Sequence, residues 1–148
     1  MDQPTAETAL RALEPLIGTW DLAIAWPDGT PWPGGGRQVI EWLPDHAHVI
    51  QRGEIDLPEA PASVAIIGCD GAKGTFTQLY SDERGVCRIY DMSIDDTEWQ
   101  LWRQGEPFEQ RFVGRFSNDG RTITARWEAA KSGGELETDF DMVWTKVD

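Results

Sequence analysis

From Gly18 onward the chain alternates apolar and polar residues with a period of two, between short turn signals. Trp20, Leu22, Ile24 and Trp26 alternate with Thr19, Asp21, Ala23 and Ala25, which puts one set on each face of an extended strand. Runs of the same kind occupy residues 36–43, 47–55, 63–69, 74–81, 86–94, 98–103, 107–116, 122–129 and 135–146. Between them stand Asp28-Gly29, Pro44-Asp45, Asp70-Gly71, Asp82 to Gly85, Asp95-Asp96, Gln104-Gly105, Asn118-Asp119-Gly120 and Ser132-Gly133-Gly134, residue types that turn the chain. Ten strands joined this tightly leave no room for crossover helices, so neighbours pair antiparallel. Only 27–35 and 56–62 are long enough to be return connections. The expected architecture is all-β, a ten-stranded antiparallel up-and-down barrel, with a Greek-key sandwich as the competing arrangement.

A short helix at about residues 5–14 precedes the barrel, which spans about 18–147. Thr5 is placed to cap it, Glu7 suits its positive end, and Ala6, Ala9, Leu10 and Leu13 form one apolar stripe. Pro15 disfavours its continuation past Glu14. Alone so short a helix is marginal, so its stripe is expected to lie across something larger. The 148 residues fit a single domain, 1–148, without a repeat or linker.

Charge narrows the partners. Thirteen basic against 26 acidic side chains leave a net charge of −13, which argues against nucleic acid and against an anionic membrane surface as partners. No apolar run approaches the ~20 residues of a membrane span. The opening Met1-Asp2-Gln3-Pro4 lacks the features of a secretory signal, and Cys69 and Cys87 do not make a disulfide framework. A cytoplasmic location is expected. A homodimer stays open.

Charge also assigns the faces, because an unpaired buried charge is expensive. Phe108, Gln110, Phe112, Gly114 and Phe116 are expected inside, as are Ile123, Ala125 and Trp127. In the last run Leu136, Thr138, Phe140, Met142 and Trp144 are expected inside, opposite Glu137, Asp139, Asp141, Val143 and Thr145. Around Pro44-Asp45, pairing Leu43 with His48 puts Ile40, Trp42, Val49 and Gln51 inside and His48 outside. In 74–94 one face carries Phe76, Gln78, Tyr80, Arg88, Tyr90 and Met92; the other carries Thr75, Thr77, Leu79, Cys87, Ile89 and Asp91. Each choice buries a charge, Arg88 or Asp91. We take the aromatic face as the inner one.

The interior is then largely aromatic, interrupted by Gln38, Gln51, Gln78, Gln110 and Thr138. An eight-stranded barrel is just filled by side chains or holds one small ligand, and diameter grows with strand number. Ten strands should leave a cavity unless the aromatics fill it, and an apolar wall with a few neutral polar groups is the usual make-up of a small-molecule site. The candidate ligand-binding residues are Trp20, Trp42, Gln51, Gln78, Tyr80, Arg88, Tyr90, Trp99, Phe112, Trp127 and Trp144.

Several motifs resemble a known family. Gly18-Thr19-Trp20, following a short helix and opening the first strand, is similar to the Gly-x-Trp signature of the calycins, the lipocalins and fatty-acid-binding proteins among them. Glu41-Trp42, Val49-Ile50-Gln51-Arg52, Gly68-Cys69-Asp70, Arg111-Phe112, Phe116 to Gly120 and Trp127-Glu128 extend the likeness over about 10–147. It looks like an uncharacterised bacterial lipocalin-like family, more distantly similar to the nitrobindin-like haem proteins. The resemblance implies a calycin barrel and no particular activity. Nitrobindin-like proteins bind haem through a histidine on a late strand; here Leu136 to Met142 has none, and Trp20 is followed by Asp21-Leu22-Ala23-Ile24 in place of a longer Gly-rich motif. No cofactor is expected, haem included.

Other chemistry is sparse. His46 and His48 have the His-x-His spacing that can give a metal two ligands, but no further His or Cys cluster accompanies them, so they read as solvated turn residues. The cysteines read as inert buried thiols, Gly34-Gly35-Gly36 as a loop at the barrel mouth, and Asp95-Asp96 with Asp139 and Asp141 as solvated surface. No nucleophile or phosphate-binding motif is present. The leading expectation is a protein that binds a small apolar or aromatic molecule in the barrel. Two alternatives remain. One is an isomerase or cyclase in which Tyr90 donates a proton and Arg88 stabilises developing negative charge. The other is a filled barrel that interacts through exposed Trp32 and Trp102.

Overall fold

Each run of alternating residues forms a strand: β1 Gly18–Ala25, β2 Gly36–Trp42, β3 Val49–Ile55, β4 Ser63–Asp70, β5 Thr75–Asp82, β6 Cys87–Ile94, β7 Glu98–Arg103, β8 Phe108–Phe116, β9 Thr122–Lys131 and β10 Glu137–Lys146. The computed structural model describes residues 7–105, 108–131 and 134–147. Every strand pairs antiparallel with its neighbours in sequence, and β10 returns to β1 with Leu22 opposite Trp144 and Ile24 opposite Met142. This is the up-and-down barrel that the alternation predicts, not a sandwich.

Strand direction sorts the barrel into two ends. One receives the start of β1, the 43–48, 71–74, 95–97 and 117–121 turns, and the chain after Lys146. The other receives the 26–35, 56–62 and 83–86 connections, the ends of β7 and β9 and the starts of β8 and β10. The first end is closed. The segment before β1 is α-helical only over Glu7–Leu10 (α1) and tightens to a 3-10 helix over Arg11–Leu16. The helix therefore does not stop at Glu14 as Pro15 suggested. It continues in the tighter form because Leu16 has to reach the core. Leu13 and Leu16 are wholly buried, in one cluster with Trp20, Ile40, Val49 and Ile67. The Trp20 indole N–H donates to the Leu16 carbonyl at 2.9 Å and pins the segment to β1. Thr5 and Ala6, the expected cap and stripe start, lie outside the described residues.

The β2–β3 hairpin has the expected register, with Trp42 opposite Val49, Ile40 opposite Gln51 and Gln38 opposite Gly53. Its turn is fixed by the Asp45 carboxylate, which accepts from the Ala47 and His48 backbone N–H groups and lies 2.7 Å from His48 Nδ1. In 74–94 the aromatic face is the inner one: Phe76, Gln78, Tyr90 and Met92 are buried, while Ile89 is 64% exposed. Cys87 is exposed and Cys69 half-buried. They sit toward opposite ends of the barrel, Cys69 opposite Phe76 and Cys87 opposite Ser81. Cys87 is thus not the buried thiol expected.

One face assignment fails locally. On β10, Phe140 faces Trp127 and Thr138 faces Glu128, so Asp139 is an extra residue without a partner. Such a bulge reverses the alternation beyond it. Thr138 shares the outer side with Glu128, and Asp139, expected outside, turns to the barrel mouth. Among the described residues no helix is long and apolar enough to cross a membrane.

Leu16→Ala should cost about 2–5 kcal/mol, the usual penalty for emptying a fully buried leucine site. Urea unfolding checks this: the midpoint should fall with an unchanged slope. An unchanged midpoint would mean that the 3-10 segment does not close this end.

Candidate functional site

The aromatics do not fill the barrel. A cavity of about 520 Å³ opens at the end away from the helix, within the range usual for small-molecule sites. Nine of the eleven candidate residues form its wall: Gln51, Gln78, Tyr80, Arg88 and Tyr90 on β3, β5 and β6, and Trp99, Phe112, Trp127 and Trp144 on β7 to β10. Trp20 and Trp42 do not reach it. Both are inward positions near the closed end, where the helix occupies the interior. Trp20 lies wholly buried beneath the Lys146 ammonium, 5.5 Å from its ring, and Trp42 is half-buried with its ring 6.4 Å from that of His46.

One side of the wall is an aromatic chain. Tyr90 meets Trp127 at 5.6 Å between ring centroids, Trp127 meets Phe112 at 5.1 Å, Phe112 meets Trp99 at 4.8 Å, and Trp99 meets Trp144 at 5.5 Å. These tilted and edge-on contacts fix the rings against one another. Trp20 supports Trp144 from below at 6.4 Å. The indole N–H groups of Trp99 and Trp144 are buried without a hydrogen-bond partner, at a cost of about 1–3 kcal/mol each.

The facing side is amide. Gln78 Nε2 donates to Gln51 Oε1 at 3.3 Å, and Gln51 Nε2 donates to Gln38 Oε1 at 3.0 Å. The Gln38 amide lies close over Gly53, where a Cβ would meet it and Ser63 Oγ, so a side chain at 53 would displace the amide from its present place.

Nearer the mouth, Gln110 Oε1 accepts from the Tyr90 hydroxyl at 2.7 Å and from Arg88 Nη1 at 3.3 Å. The Arg88 guanidinium lies 4.9 Å from the Phe108 ring centre, a cation–π distance. Burial raises the Tyr90 phenol pKa above its ordinary value, so at neutral pH it remains a donor. Arg88 is half-buried, and Gln110 and Phe108 replace part of the water its charge gives up.

At the rim the Asp82 carboxylate is fully buried and accepts from Arg84 Nη2 and from the Tyr80 hydroxyl, both at 2.7 Å. Hydrogen bonds from Arg84 hold this carboxyl far below its ordinary range, and burial with the Asp82 contact pushes the Tyr80 phenol up. The 26–35 loop brings Trp26 and Trp32 over the mouth. Their rings are 4.8 Å apart, and Trp32 rests on Phe140 at 5.3 Å. Trp32 is therefore half-buried in the site, not an exposed contact, and Trp102 is half-buried as well.

No family model matches the chain, and no curated protein does. Among solved structures it is similar to Rv2717c from M. tuberculosis, at 14% identity and a TM-score of 0.64, over 95% of this chain and 98% of that one. A protein with unknown function of the DUF3598 family from Nostoc punctiforme aligns over 94% of this chain and 99% of its own at 7% identity, but a TM-score of 0.28 gives it no weight. The likeness to Rv2717c shows a shared fold alone.

Among the described residues no group of three His, Cys, Asp or Glu side chains is placed to hold a metal ion. The wall contains no histidine, since His46 and His48 stand on the turn at the closed end.

Gln38, Phe108, Gln110, Trp32, Phe140 and the Asp82–Arg84 pair were absent from the candidates. The parity that put Gln38 and Gln110 inside already marked them. Asp82 and Arg84 read only as a turn because a buried carboxylate is legible only once its partner is placed.

The Asp82 carboxyl is depressed in the folded chain. Its contribution to stability is therefore full above the ordinary 3.8 and is lost as pH falls below that value toward the folded one. Asp82→Asn should destabilise the protein at about pH 7 by about 1–3 kcal/mol, and by clearly less at about pH 2. Urea titrations at the two pH values measure the difference; an equal gap at both would contradict the pairing.

Proposed function

We propose that this is a calycin-like binding protein whose barrel takes one small molecule with a flat apolar or aromatic body. The observation that carries this reading is the cavity of about 520 Å³ between a rigid aromatic wall and a ladder of glutamine amides. The wall would receive the flat body of the ligand by stacking and edge contacts. The amides would fix its orientation by hydrogen bonds.

The Arg88 guanidinium bonds to a neutral amide and makes no ion pair among the described residues. With the Tyr90 hydroxyl beside it, this corner suits a carboxylate or another anionic oxygen group.

A second reading is favoured by the same corner. A buried phenol that keeps its proton, set next to a guanidinium, is suited to protonate a substrate oxygen while Arg88 offsets its charge. An isomerase or cyclase would use these two groups.

Native mass spectrometry of freshly purified protein should show a single bound small molecule per chain, and an anionic naphthalene probe should quench the cavity tryptophans with 1:1 saturation. Arg88→Ala should weaken that probe roughly 10- to 100-fold, the worth of a hydrogen bond to a charged group. Saturable binding by neither route would end the proposal. Turnover that disappears in Tyr90→Phe while binding persists would select the enzyme reading.

A further inference from the structure

We infer, resting on the binding reading above, that the ligand is an aromatic acid with an O–H or N–H on the edge away from its carboxylate, and that Gln78 reads that donor. Hydrogen-bonding groups on the cavity wall are out of balance at two depths, in opposite senses.

Toward the mouth donors are in surplus. The Tyr90 hydroxyl and Arg88 Nη1 both end on Gln110 Oε1, which fills that oxygen's lone pairs. The other N–H groups of Arg88 and the Gln110 Nε2 group have no acceptor among the described residues. Such a corner needs an acceptor with several lone pairs, which a carboxylate supplies. Glu59 and Asp139 border the same hollow from the loop after β3 and from β10. Their charges repel a carboxylate from those sides and leave it the side of β6 to β8, so the acid has one orientation.

Deeper in, an acceptor is left over. The amide ladder runs one way: Gln78 donates to Gln51, and Gln51 donates to Gln38. Its β5 end therefore finishes on a carbonyl oxygen. Gln78 is only 3% exposed, yet its Oε1 accepts from no group among the described residues. Unlike the Trp99 and Trp144 indole nitrogens, that oxygen is not sealed from the hollow, which Gln78 lines. A ligand O–H or N–H would satisfy it, whereas a purely apolar edge would bury it without a partner.

The register sets the spacing. Gln78 is opposite Tyr90, and Arg88 is opposite Tyr80. The acceptor thus stands one inward position deeper than the guanidinium, about 7 Å along the strands. Tyr90 contacts Trp127, and Trp127 contacts Phe112. A flat ring system laid against these rings, with its carboxylate at Arg88, brings its far edge to the level of Gln78.

Tryptophan-fluorescence titration of the full chain tests this with naphthoate, its derivative carrying a hydroxyl on the far ring, and the matching methoxy derivative. The hydroxyl donates, the methoxy group can only accept, and the parent does neither. The hydroxy acid should bind about 10-fold tighter than the parent, the worth of one hydrogen bond. The methoxy acid should bind no tighter than the parent. In Gln78→Met the hydroxy acid should fall to the parent's affinity while the parent is unchanged, which also shows the cavity to be intact. Equal binding of hydroxy and parent acids by the wild type overturns the inference and leaves the binding reading standing. So does a methoxy acid that matches the hydroxy acid, since the ladder would then end on its N–H groups. A preference that survives Gln78→Met, or a variant that weakens both acids alike, removes the role from Gln78. The wild-type series decides the ligand's donor whether or not the variant folds. Binding of none of these acids ends both readings.

Discussion

Closure of the sheet is the constraint on which the rest depends. When β10 pairs with β1, all ten strands share one wall, and the diameter follows from their number and tilt. Ten strands enclose more interior than their own inward side chains can occupy at both ends. The α1 and 3-10 segment takes up that excess at one end, with Leu13, Leu16 and Trp20 wholly buried there. At the other end the 26–35 loop brings Trp26 and Trp32 over the mouth, and the space beneath them remains as a cavity. The two ends thus differ in what occupies the interior.

The cavity is shaped by rings that hold one another. Trp20 belongs to the closed end, yet it carries Trp144, which contacts Trp99 and, through Phe112, the rest of the aromatic wall. The helix packing and the site are therefore mechanically continuous, and a loosened closed end would be felt in the cavity. The polar groups are arranged by burial. Deep in the barrel the residues are neutral amides bonded to one another. Toward the mouth come a solvated guanidinium and then a compensated Asp82–Arg84 pair. Charge appears where water or a partner can offset its desolvation.

Much of this is legible in the sequence. The run 107–116 fixes its own parity, because Glu109, Arg111 and Arg115 cannot all face an apolar interior, and Phe112 follows from it; Arg126 and Glu128 do the same for Trp127 in the next run. The β2–β3 register followed from one turn. Trp20 and Trp42 show the limit of what alternation encodes. Alternation says that a side chain points inward, but it does not say how far along the axis it stands or what else is there. Thr138 and Asp139 show another limit, since a single extra residue reverses the parity and leaves no mark in the hydrophobic pattern. The Asp82–Arg84 pair was hidden for a third reason: Asp82 is also an ordinary turn former, and Arg84 sits in the same Asp82 to Gly85 turn signal.

The sequence by itself determined the strands, their antiparallel order and most of the inner face, because a period of two and turn chemistry act within a few residues. It also determined that the inner face would be aromatic and amide in character. Only the tertiary structure decided which end is open, that the interior is hollow, and which of the inward tryptophans border the hollow. It also decided that Gln38, Gln51 and Gln78, from β2, β3 and β5, join in one ladder of amides. Those features depend on how a closed wall brings distant strands into register, and no local pattern encodes that distance.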